Sequence, residues 1–102
     1  MSEDVRKDII GIAEHFGKEK QIAKLVEELK ELIEACNIYL HGDDFAKACE
    51  VYHIMEEIAD VMIVAEQVEY LLLNDGGKKL VESIKLEKIK RTKQRIKDGY
   101  YD

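Results

Sequence analysis

From Ile22 to Tyr39 the apolar positions fall at alternating steps of three and four: Ile22, Leu25, Leu29, Leu32, Cys36 and Tyr39. A run of that period buries one side only as an α-helix laid along other helices, because a strand would scatter the same residues over both faces. Val26 and Ile33 widen the stripe into a bundle seam. The chain contains no proline, so its helices are punctuated by glycine and by Asn/Asp clusters alone.

Those breaks predict four helices and an all-α, four-helix bundle over residues 1–102, with 98–102 as a short tail. The first helix runs from about Glu3 to His15, with Ser2 as N-cap and Val5, Ile9, Ile12 and Phe16 on one side; Gly17 breaks it. The second spans about Lys18 to Leu40 and ends at "HGDD", where Asp43 or Asp44 can cap the next. The third runs from about Phe45 to Leu73, until "NDGG" stops it. The fourth covers about Lys78 to Lys97. Between Ile58 and Leu73 the third helix is apolar over most of its circumference, more than a chain of 102 residues can cover, which implies a homodimer or homotetramer with this helix in the interface. Asp60, Glu66, Gln67 and Glu69 interrupt that stretch, so it is no membrane span.

Charge is unevenly distributed. Residues 1–77 carry 7 basic and 18 acidic side chains, a net −11, whereas residues 78–97 carry 9 basic and 2 acidic, a net +7. An acidic body with one basic helix lacking interleaved aromatics is no nucleic-acid surface, but it offers one wall for a metal and one for phosphate. Cys36 and Cys49 lack metal-ligand spacing and the N-terminus lacks the regions of a signal peptide, which together fit reduced thiols and a cytoplasmic location.

The acids beside the seams carry chemical meaning. At about 100° per residue, Gln21 and Glu28 stand roughly 40–60° to one side of the second helix's apolar line, and Glu31 about 120° to the same side. Glu57 and Asp60 take the same offsets on the third helix. The short "HGDD" connection implies antiparallel packing, so two acid pairs at i and i+3 can converge. Four carboxylates that close need a cation, and oxygen-only ligands favour Mg²⁺, with Mn²⁺ as a substitute, over zinc. One such pair is usually a solvated helix flank; two matched pairs point to a metal site. Glu27, Glu34 and Glu56 lie farther from the seams and read as solvent-facing. Glu50 and His53 form one E-x-x-H, half of what a di-iron bundle requires, so His53 reads as a supporting or interface residue.

The stretches "QIAKLVEELKELIEA" and "MEEIADVMIVAEQV" resemble the MazG-like all-α nucleoside triphosphate pyrophosphohydrolases, whose mark is an E-x-x-E pair on one helix and an E-x-x-D pair on the next long one. Glu28 and Glu31 match the first pair, Glu57 and Asp60 the second, and the resemblance covers residues 9–98. It implies a metal-dependent hydrolase that turns a (deoxy)nucleoside triphosphate into monophosphate and pyrophosphate, with Glu28, Glu31, Glu57 and Asp60 as metal ligands; one carboxylate can instead orient or deprotonate the attacking water, and that catalytic role is assigned here to Glu31. "KIKRTKQRI" is similar to the family's basic helix, which makes Lys88, Arg91 and Arg95 the phosphate-binding residues; Thr92 stands where many members have asparagine. Gln21 is read as a sugar or base contact, with a hydrogen-bonded core glutamine as the alternative. Phosphoribosyl-ATP pyrophosphohydrolase is the nearest rival, although its glycine-containing approach to the first acid pair is replaced here by "AKLVEELKE". A non-catalytic helical interaction module is the rival from another class. Tyr100 and Tyr101 belong either to a frayed tail or to a flap over the pocket.

Overall fold

A computed structural model describes residues 2–101. The four expected helices are present and no strand occurs among the described residues: α1 (Glu3–Phe16), α2 (Lys18–His41), α3 (Asp44–Leu72) and α4 (Asp75–Lys97). The chain divides into two units, Met1–Leu72 and Leu73–Asp102.

Local chemistry explains the breaks. Ser2 Oγ accepts from the Val5 N–H at 3.2 Å and opens α1. Gly17 ends it with φ at 86°, a left-handed value that a side chain would resist, while its N–H donates to the Ala13 carbonyl at 2.9 Å. Of the two candidate caps for α3, Asp43 serves: its Oδ1 accepts from the Ala46 N–H at 2.8 Å, and Asp44 lies in the first turn. At Gly42 an added Cβ would meet Ala46 Cβ and the Ile38 carbonyl oxygen, each at 2.9 Å, so the α2–α3 turn is too tight for any other residue.

The fourth helix starts earlier than its sequence suggests. Asn74 caps it by accepting the Gly77 N–H at 2.8 Å, which puts Asp75, Gly76 and Gly77 inside the first turn. First-turn N–H groups have no intrahelical acceptor, so an Asn cap can recruit two glycines that would break a helix interior. The tail is also more ordered than a frayed end. Tyr100 N–H donates to the Arg95 carbonyl and Gly99 N–H to that of Ile96, with Gly99 at φ 72°, a Schellman closure. Arg95 lies over the Tyr100 ring, 5.0 Å from its centre. Asp102 of the expected tail lies outside the described residues.

In the first unit α3 is the common partner. Gln21 hydrogen-bonds Gln67, and Glu28 meets Glu57, so a step up α2 is a step down α3: the two are antiparallel. Ile9 pairs with Gln67 and Glu14 with Tyr70, so α1 runs in the same direction as α3. Among the described residues the buried apolar ones are Ile9, Ala13, Ala35 and Val64, and an equal number of buried residues are polar: Gln21, Glu28, Glu57 and Gln67. On α2 the buried line is Gln21, Glu28 and Ala35 with Leu25 and Leu32 half-buried, whereas Ile22, Leu29 and Tyr39 are exposed. The seam is thus turned by roughly 50°, half a residue step, from the line of largest apolar side chains. Of the acids expected beside the seams, Glu28 and Glu57 stand in them, while Glu31 and Asp60 stay exposed.

Candidate metal centre

Helix period and antiparallel register bring three of the four expected acids together. Glu28, Glu31 and Glu57 each offer a carboxylate oxygen within 4.8 Å of the others. Glu28 and Glu57 are buried, at 6% and 8% exposure, and Glu31 closes the group on its solvent side. Asp60, one turn beyond Glu57, is exposed and stands outside this three-carboxylate group. The group differs from an ordinary acidic flank in one respect: Glu28 Oε2 and Glu57 Oε2 are fully buried and have no hydrogen-bond partner. Buried carboxylate oxygens without a donor are costly, and a proton, a bound water or a cation relieves them.

Electrostatics tell the same story. The Glu31 carboxyl is raised above its ordinary 4.5, chiefly by the Glu28 charge, then by desolvation and by Glu57. Crowded acids hold a proton more tightly, and a divalent cation satisfies the same charge better. The donor set is oxygen only, as Mg²⁺ or Mn²⁺ requires, and its two buried oxygens without partners fit such an ion.

Cations of the protein itself flank the group. Lys24 Nζ lies 3.1 Å from Glu28 Oε1 and 3.8 Å from Glu27 Oε2. His53 bridges two acids, with Nδ1 on Glu50 Oε1 and Nε2 3.2 Å from Glu57 Oε1. Its imidazole is held above the ordinary 6.5, mainly by the Glu50 hydrogen bond. His53 thus touches Glu57 without belonging to the three-carboxylate group. Lys24 was legible only as a lysine one turn before Glu28.

Two turns along α2 from Glu28, Gln21 donates through Nε2 to Gln67 Oε1, and Gln67 Nε2 donates to the Ile9 carbonyl at 3.2 Å. Gln21 is therefore a hydrogen-bonded core glutamine, the alternative its sequence position left open. Gln67 is 2% exposed, and as one of four polar residues in the Ile58–Leu73 stretch it carries no distinguishing signal in the sequence. The pair borders a cavity of about 430 Å³ whose walls include Ile12, Phe16, Lys24 and Ile63. Lys88, Arg91 and Arg95 lie on α4 in the second unit, Lys88 and Arg91 exposed and Arg95 half-buried.

No family model, no curated protein and no solved structure matches the chain. What is established is a four-helix, all-α chain with an acidic group able to hold a metal ion. Among its described residues no helix is long and apolar enough to cross a membrane.

Proposed function

We propose that this protein is a divalent-cation-dependent nucleotide pyrophosphohydrolase of the MazG-like kind, acting on a (deoxy)nucleoside triphosphate. The observation that carries the cation site is the pair of buried, partnerless oxygens on Glu28 and Glu57 beside Glu31. The reaction itself is supported by the resemblance of the two acid pairs.

In this reading Glu28, Glu31 and Glu57 would hold the ion, with Asp60 as the fourth ligand on the resemblance alone. A Mg²⁺ or Mn²⁺ held there would neutralise phosphoryl charge and acidify a bound water. Water attacks the α-phosphorus, the bond from that phosphorus to the α–β bridging oxygen breaks, and pyrophosphate leaves. Glu31 takes the proton of the attacking water. Gln21 borders the cavity of about 430 Å³, which is large enough for a nucleoside, and its carbonyl oxygen is uncommitted. The resemblance assigns phosphate binding to Lys88, Arg91 and Arg95, all on the basic helix α4.

The same chain assembles with a second copy of itself. Val26 and Ile33 on α2 and Met55, Ile58 and Met62 on α3 are exposed, and one isologous pairing of α3 with its own copy buries such a stripe without any other partner.

The test is pyrophosphate release from a panel of ribo- and deoxynucleoside triphosphates in Mg²⁺, Mn²⁺ or EDTA, for wild type and Glu57→Gln. Release that EDTA and Glu57→Gln both abolish supports the reading. No release from any nucleotide, with no metal bound, leaves a helical interaction module.

A further inference from the structure

Glu28 and Glu57 sit in matching local settings. The stretches "KLVEE" on α2 and "HIMEE" on α3 each place a basic side chain four residues before a buried glutamate. Lys24 Nζ lies 3.1 Å from Glu28 Oε1, and His53 Nε2 lies 3.2 Å from Glu57 Oε1. In both glutamates the other oxygen, Oε2, is the buried one without a partner. His53 is steadied from behind by Glu50 on its Nδ1. We infer that Lys24 and His53 are paired positioning residues: each takes Oε1 of its glutamate and so presents Oε2 as a one-oxygen ligand to a divalent cation. The inference rests on the metal reading above.

A glutamate's terminal torsion is soft, so an unrestrained carboxylate turns between one-oxygen and two-oxygen coordination. A donor fixed on one oxygen removes that freedom before the ion arrives, as the outer partners of metal ligands do elsewhere. An exposed lysine paired at i, i+4 usually does no more than support its helix slightly. Here the Glu28 and Glu57 side chains are only 7% and 11% exposed, and the same arrangement recurs on two helices, which a solvated flank does not require. Lys24 and His53 themselves are half exposed, so replacing them opens no core.

Charge and positioning predict opposite signs. Removing a nearby cation would by itself tighten binding of a divalent ion, whereas losing the clamp loosens it. The experiment is calorimetric titration of Mn²⁺ into the nucleotide-free protein for wild type, Lys24→Met and His53→Leu, with Lys24→Arg and His53→Lys as restoring variants and circular dichroism to verify folding. Binding about 10- to 100-fold weaker in Lys24→Met and His53→Leu, and near wild type in the restoring variants, is the expected result. Equal or tighter binding in Lys24→Met and His53→Leu overturns the inference and leaves the metal site standing. A wild type that binds no Mn²⁺ overturns the metal reading itself, and the inference with it. The two clamps lie on different helices, so each is tested independently.

Discussion

Replacing Glu57 by glutamine should invert the stability order of wild type and variant between metal-free and metal-loaded buffer. Without a cation, Glu28 and Glu57 are buried carboxylates with oxygens within 4.8 Å of each other, a repulsion of about 3.5 kcal/mol at an effective dielectric of about 20. Glutamine keeps the shape, removes the charge and brings an N–H that can donate to a neighbouring carboxylate oxygen. The weaker contact with His53 takes back little, because that side chain is 47% exposed and solvent screens it. In EDTA the variant is therefore expected to be more stable by about 2 kcal/mol, most of the repulsion. With Mn²⁺ at a thousand times its dissociation constant the wild type gains about 4.1 kcal/mol, and the variant, short of one charged ligand, gains much less. Urea unfolding followed by circular dichroism in the two buffers reads both numbers. A variant less stable than wild type in EDTA, or a wild type indifferent to Mg²⁺ and Mn²⁺, would refute the reasoning.

In the metal-free protein the raised Glu31 carboxyl makes the folded state bind its proton more tightly than the unfolded chain does; the stability this gives is complete below 4.5 and lost as pH rises through the folded value. The melting midpoint in EDTA should fall over that range and the fall should vanish in Mg²⁺; a flat profile in EDTA counts against the crowded-acid geometry. Gln67→Leu strands the buried Gln21 amide and should cost about 1–3 kcal/mol, with part of the loss recovered in the Gln21→Leu/Gln67→Leu double variant. Urea midpoints of the three variants check this, and additive losses would mean the two amides are not coupled. Ile33→Glu with Met62→Glu puts charge on the exposed apolar stripes and should reduce the assembly to single chains of 11.8 kDa by sedimentation equilibrium. A wild type already of that mass contradicts self-assembly.

Much of this protein is written in local periodicity. Alternating steps of three and four, the absence of proline, Ser2, Gly17 and the "HGDD" turn determine helices α1, α2 and α3 nearly to the residue, because capping and helical period are properties of neighbours in the chain. Where α4 begins was not legible, since whether Asn74 caps a helix or "NDGG" ends one depends on which carbonyls and amides the backbone brings together. The acid pairs were visible by spacing, but their burial was not. Which side of α2 faces α3 is decided by how closely two helices approach, and Ala35, fully buried, draws that contact away from Ile22 and Leu29. That rotation carries Glu28 and Glu57 into the interface, leaves Asp60 outside, and pairs Gln21 with a residue 46 positions away. A sequence states which side chains share a helix face; only the packed helices decide which of those carboxylates lose their water, and with it their indifference to a cation.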